Sequence, residues 1–178
     1  YLKAINKIDA AKLTGQDWLS HQIFKRDREM GIKSFNFQSH LIPLSQMGGV
    51  HSFFAMLGSG NSAQPFNTEQ DYRNFMSRSE GFAAYMDSVI SAMREGIDKG
   101  MVLPKPIVGK VIPQFEAHMV DDVTTSVFYG PVKSLEANTD MSAEVKEKLK
   151  ADYVAMINTV IIPAYKNVHD FLVNEYQP

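Results

Sequence analysis

The stretch 68–108, TEQDYRNFMSRSEGFAAYMDSVISAMREGIDKGMVLPKPIV, constrains the fold more than any other part of the chain. Thr68 opens it as a helix cap with Asp71 at the third helical position, a weaker form of the capping box. Val89, Ile90, Met93 and Ile97 recur at helical spacing and supply an apolar stripe. Gly100 stands where a left-handed residue closes a helix, and Pro104 and Pro106 restart the chain beyond it. The segment therefore predicts a capped helix, a second long helix, a stop and a new start.

The same spacing rules extend helices over most of the chain. Leu2, Ile5 and Ile8 place a short amphipathic helix over Leu2–Leu13, broken at Thr14-Gly15. A second runs from Trp18 to Ile32, with Trp18, Leu19, Ile23 and Phe24 as its inward set and Thr14 as its cap. The charged run Lys25–Glu29 on its later turns reads as a solvated face rather than a docking patch. Phe35, Phe37 and Leu41 alternate, but Pro43 and the isolation of the segment favour an extended loop over a strand. Val50 to Leu57 is a short apolar helix, followed by a flexible Gly58–Ser62 connection. Pro104 to Val120 is helical with a bend near Pro113, and Asp121 to Thr139 holds irregular turns. Ser142 opens the longest helix, reaching about Glu175, with Leu149, Tyr153, Met156, Val160, Ala164, Val168 and Phe171 inward, Ile161 near the core beside Val160, and a kink at Pro163. The expected fold class is all-α: an irregular array of about six or seven helices with a long kinked C-terminal helix. Without a linker, repeat or low-complexity tract, residues 1–178 form a single helical domain.

Composition removes several functions. A net charge of −2, with Lys and Arg scattered through the chain, supplies no basic face for nucleic acid. The absence of cysteine removes disulfides, thiolate catalysis and thiolate metal ligands. No targeting signal stands in the chain, and no apolar run approaches the roughly 20 residues of a membrane-spanning helix. The five histidines, His21, His40, His51, His118 and His169, are never three or four apart and never precede glutamate, so the His-Glu-x-x-His spacing that puts two imidazoles on one helix face is missing. A Gly-x-Ser-x-Gly elbow is also missing, and Gly58-Ser59-Gly60 lacks the strand and helix that would make its serine reactive. Asp121-Asp122 reads as helix-end charge. No catalytic, cofactor or metal residue is assigned to this chain. Arg78 and Arg94 are the candidate substrate contacts, because a guanidinium grips a carboxylate such as a peptide C-terminus in a two-point fork. The plainer role for each is an ion pair with Glu80, Glu95 or an acid on a neighbouring helix.

The order DYxxFxxR at Asp71–Arg78, then MREGIDKGMVLPKPIV at Met93–Val108, resembles the DUF885 family of bacterial helical proteins. The likeness extends to Gln46-Met47-Gly48-Gly49, Val160–Tyr165, Phe171-Leu172 and Glu175-Tyr176-x-Pro178. It implies a zincin-like metallopeptidase whose His-Glu-x-x-His motif and zinc lie in a later region outside this chain. This chain would then be the N-terminal helical region, walling a cleft for peptide substrate and inactive when isolated. Its partner would be the missing C-terminal catalytic region of the same protein. The alternative is a stand-alone helical ligand-binding or protein-interaction module. The family also implies a periplasmic or membrane-anchored lipoprotein location. A surface built to be covered would let the isolated chain self-associate, with Phe128-Tyr129-Gly130-Pro131 as part of it.

Overall fold

In the computed structural model, which describes residues 1–177, the capping box at Thr68 forms. Thr68 Oγ1 accepts from the Asp71 N–H at 3.2 Å, and Asp71 Oδ2 accepts from the Thr68 N–H at 2.9 Å. Helices are labelled in chain order: α1 Leu2–Ile5, α2 Gly15–Ser34, α3 Val50–Gly58, α4 Glu69–Asp98, α5 Lys105–Glu116, α6 Gly130–Ala137, α7 Ala143–Met156 and α8 Ile162–Phe171. A π turn, Ile157–Ile161, joins α7 to α8, and a second, Leu172–Tyr176, extends α8. With that unbroken C-terminal run counted as one, the fold has seven helices, and no strand among the described residues. The all-α class is as expected. Pro178, the last residue of the Glu175-Tyr176-x-Pro178 motif, lies outside the described residues.

The chain divides into two compact units, Tyr1–His40 and Leu41 onward. In the second, the two helices expected between Thr68 and Gly100 are one helix of 30 residues. Tyr72, Phe75, Ser79, Phe82, Met86, Val89, Met93 and Gly96 are all buried and alternate at three- and four-residue spacing, so one seam runs through without a break. Gly100 closes it at φ +70°, and the Met101 N–H returns to the Gly96 carbonyl at 2.8 Å. Helix α4 packs against α7, α8 and the π turn between them. Aromatic rings fill the space: Phe54 lies parallel to Phe82 with centroids 4.0 Å apart, and Tyr72 meets Tyr153 edge to face at 5.7 Å. Tyr72 Oη donates to the Pro131 carbonyl at 2.9 Å and Tyr165 Oη to the His51 carbonyl at 2.6 Å, tying α6 and α3 to this core.

Four local expectations change. The C-terminal run buries Leu149, Tyr153, Met156, Ala164, Val168 and Phe171 as expected, but Val160 is only partly buried while Ile157 and Ile161 are fully enclosed. Each π turn carries more residues than an α turn, so the inward face advances. The segment 121–139 is more regular than irregular turns: Asp122 caps a 3₁₀ turn at Val123–Thr125, and α6 follows. Phe128 is fully buried, and an added Cβ at Gly130 would sit 2.1 Å from the Ser59 carbonyl oxygen. The Phe128–Pro131 turn is thus pressed onto the Gly58–Gly60 connection rather than left as an orphaned surface. Helix α5 contains Pro113 but ends at Glu116 instead of Val120.

The first unit departs furthest. Only Leu2–Ile5 of the expected first helix is α-helical, because Asp9 caps a separate 3₁₀ turn, Ala10–Lys12, by accepting from the Ala11 N–H. Thr14 is the N-cap of α2 without a side-chain cap bond. The expected inward set Trp18, Leu19, Ile23 and Phe24 is exposed, and His21 is the one buried residue of α2. Its Nε2 lies 3.2 Å from the Ile5 carbonyl oxygen. In place of an extended loop, 34–43 holds two 3₁₀ turns, Phe35–Phe37 and Ser39–Leu41, with Gln38 at φ +48° between them.

Candidate functional site

Helix α4 and the C-terminal run leave an open groove of about 470 Å³ between them. Asp87, Ser91 and Arg94 reach it from α4, and Asn167, Asp170 and Glu175 from the opposite wall. Arg94 and Asp87 are seven residues apart, two helical turns, so both face the groove. Arg94 Nε donates to Glu175 Oε2 at 2.8 Å and Nη2 to Oε1 at 2.6 Å, a two-point fork whose carbon lies 5.4 Å from the Phe171 ring centroid. The hydrogen bonds to Arg94 hold the Glu175 carboxyl below its ordinary range and those to Glu175 raise Arg94. Along the rim, hydrogen bonds from Lys166 first and His169 second hold Asp170 low. Both members of the Arg94 pair are about half exposed. An ion pair in that setting is weakly held, so a ligand carboxylate can replace Glu175 on the fork at small cost.

Arg78 does not join this groove. It donates to Gln64 Oε1, and Gln64 in turn donates to the Pro65 carbonyl, which fastens the loop before α4. Sixteen residues separate the two arginines, so they stand about 24 Å apart along α4 and roughly 160° apart around it. One ligand carboxylate therefore meets one of them only. The partner acid of Arg94 is Glu175, 81 residues away in sequence, so no local pattern could have shown the pair.

A buried polar cluster lies on α3 and α5. His51 is fully enclosed and stacks on Phe115 with centroids 4.8 Å apart. Gln114 Nε2 donates to the Gln46 carbonyl at 3.0 Å, which turns its Oε1 toward His51 Nε2 at 2.9 Å. Because that oxygen only accepts, the His51 proton belongs on Nε2 and Nδ1 carries a lone pair. Nδ1 has no hydrogen-bond partner among the described residues. His118 faces the same aromatic wall, its ring 4.5 Å from Tyr165. Burial holds both imidazoles below the ordinary histidine range; the Gln114 bond partly offsets this at His51, and the neighbouring His51 adds to it at His118.

A lowered folded-state value means that the unfolded chain takes up protons first as pH falls, so stability is lost below pH 6.5, the ordinary histidine value. Urea midpoints are expected to be flat above neutrality and to drop between pH 6.5 and 5. That window lies above the one where the lowered carboxyls Asp71, Asp122, Glu136, Asp170 and Glu175 titrate. His118→Gln should flatten the drop. An unchanged slope in that variant, and in His51→Gln, would show that these rings do not carry it.

Among the described residues no three His, Cys, Asp or Glu side chains converge as metal ligands. His169 lies between Asp170 at 3.0 Å and Glu116 at 3.2 Å, a surface ion-pair arrangement. Asp122 is occupied by the Thr124 N–H and hydroxyl, the helix-end role its position suggests. Ser59 donates to the Met56 carbonyl within a surface turn. No described helix is long and apolar enough to cross a membrane.

No curated protein and no solved structure matches the chain. The pattern that defines one family, described as bacterial protein of unknown function (DUF885), matches residues 1–178. The match covers the whole sequence, including the stretch that builds α4 and the groove beside it, and the chain belongs to the DUF885 family.

Proposed function

We propose that this chain is the N-terminal helical region of a zinc-dependent peptidase of the DUF885 type, lining the substrate cleft while the metal is held by a catalytic region elsewhere in the same protein. The carrying observation is the Arg94 groove. It is open, polar and set beside an aromatic ring, and its guanidinium already grips a carboxylate that a ligand can replace. A peptide C-terminus fits that chemistry. Among the described residues no three zinc donors cluster, and the part proposed for this chain is to bind and orient. The family resemblance supports a periplasmic or lipid-anchored setting for the parent protein. A second reading, a helical interaction module without catalysis, is favoured by one specific observation, the exposed apolar side chains of α2.

The test compares this chain with the product of its complete reading frame in a peptide-library assay with added zinc. Cleavage is expected from the longer product only. Arg94→Ala in that product should raise KM roughly tenfold for peptides with a free C-terminus and leave amidated ones unchanged, the loss of a charge-assisted contact. Metal-dependent cleavage by this chain alone, or a reading frame that ends with it, would reject the proposal. An Arg94→Ala enzyme with unaltered KM would reject the groove.

A further inference from the structure

Helix α2 has two apolar stripes on opposite sides; one has a neighbour in α1, where His21 is buried and Phe24 and Ile32 are partly exposed, and the other has none. His21, Phe24 and Ile32 face α1 and the turn beyond it, where Ile5, Ile8 and Leu13 line a shallow groove. Leu19, Ile23 and Met30 fall within an arc of about 40° on the other side. There Ile23 is 59% exposed, Met30 55%, and Phe37, in the 3₁₀ turn beyond the helix, 72%. Arg26 and Lys33, also exposed, border this arc about 20° and 40° beyond its Leu19 edge, and among the described residues neither has a carboxylate partner. Read in order, Leu19, Ile23, Arg26, Met30, Lys33 and Phe37 alternate by four and three residues, the repeat of a coiled-coil seam. A helix of this length that buries one residue is not held by its own packing, and no cysteine can staple it.

We propose that this face of α2 is a seam that receives one helix of a protein partner, apolar at the matching positions and carrying carboxylates opposite Arg26 and Lys33. The two cations bordering the seam select the occupant. A second copy of α2 would bring further unpaired cations into the same contact. A bilayer would meet Arg26 and Lys33 on the flank of the stripe, and the test below reads that occupant out separately. An acidic helix neutralises both, and residues 1–40 as a whole carry seven Lys and Arg against four Asp and Glu. The inference does not depend on the peptidase reading, since the seam would serve an interaction module equally well.

The probes are two designed amphipathic helices with leucine at their seam, one with Glu and its twin with Lys at the positions facing Arg26 and Lys33. Trp18, the only tryptophan, reports on α2 by fluorescence in the full chain, with calorimetry as a second readout. The Glu helix should bind at least tenfold more tightly than the Lys twin. In the Arg26→Glu/Lys33→Glu double variant the order should reverse, and Ile23→Ser should weaken both. These positions are exposed, so the variants should keep the wild-type far-ultraviolet spectrum. Equal binding of the twins, or binding of neither, would overturn the proposal. So would a chain dimer that Ile23→Ser dissolves, which assigns the seam to a second copy, or a Trp18 shift on phosphatidylserine vesicles with none on either peptide, which assigns it to lipid.

Discussion

Ile161→Ala is expected to destabilise the protein by about 2–5 kcal/mol, the cost of a large-to-small change at a site that cannot collapse, while Val160→Ala should cost about 1 kcal/mol or less. Ile161 has no exposed surface; Val160 is half-buried at the margin of the core. The contrast comes from the π turn. Continuous α-helical spacing would carry the inward face from Met156 to Val160. The turn Ile157–Ile161 instead lets Ile157 and Ile161 point inward, and Tyr165 follows at the same spacing of four. Pro163, in the first turn of α8, has no N–H to give back to Thr159, so the regular ladder is interrupted there whatever the register. Urea midpoints for the two variants decide the matter. Equal losses, or a larger loss for Val160→Ala, would mean that the helix keeps an α register through this segment.

This register shows where the sequence stopped being legible. Short-range signals translated directly: Thr68 with Asp71 makes the box, Ser142 caps α7 by accepting from the Val145 N–H, and Gly100 takes the left-handed conformation. Each depends on atoms a few residues apart. Periodicity also worked, but only while the number of residues per turn stayed constant; Ile161 is buried as expected, and one π turn was enough to move Val160 to the margin. In α4 the opposite error arose, since two helices were expected where an unbroken seam through Ser79 makes one. Ser79 was not apolar, yet it fits because its hydroxyl donates to the Phe75 carbonyl at 2.9 Å. In α2 a period was visible but not its partner: Leu19 and Ile23 are spaced as core residues, and spacing cannot say whether the matching surface belongs to the same unit. The site was least legible. Arg94 was singled out for its chemistry, but its fork closes on a residue from the far end of the chain, and His51 meets Gln114 across 63 residues. Such pairs are set by packing, which no local pattern encodes.

Gly58→Ala and Gly81→Ala should move stability in opposite directions. At Gly58, an added Cβ would lie 2.4 and 2.6 Å from two atoms of the Phe128 ring and 2.8 Å from Phe75 Cζ. Both rings are fully buried, and Phe128 is hemmed in by Phe54 at 5.8 Å, His118 at 5.8 Å and Tyr165 at 6.0 Å between centroids. Neither ring is the loose end of a flexible side chain, so the methyl must displace the end of α3 or the Phe128 turn, at a cost of about 1–3 kcal/mol or more. At Gly81, in the interior of α4, an added Cβ meets nothing within 4 Å. There alanine should stabilise by up to about 1 kcal/mol through helix propensity alone. Phe128→Ala by itself empties a full ring volume and should cost about 3–5 kcal/mol. If the Gly58 methyl is opposed mainly by that ring, the double variant Gly58→Ala/Phe128→Ala should be less damaging than the sum of its parts by 1 kcal/mol or more, because the cavity left by one change accepts the methyl of the other. Additivity within about 0.5 kcal/mol would place the opposition elsewhere, at Phe75 or the backbone of α3, and would mean that the Phe128 turn does not lock the Gly58–Gly60 connection.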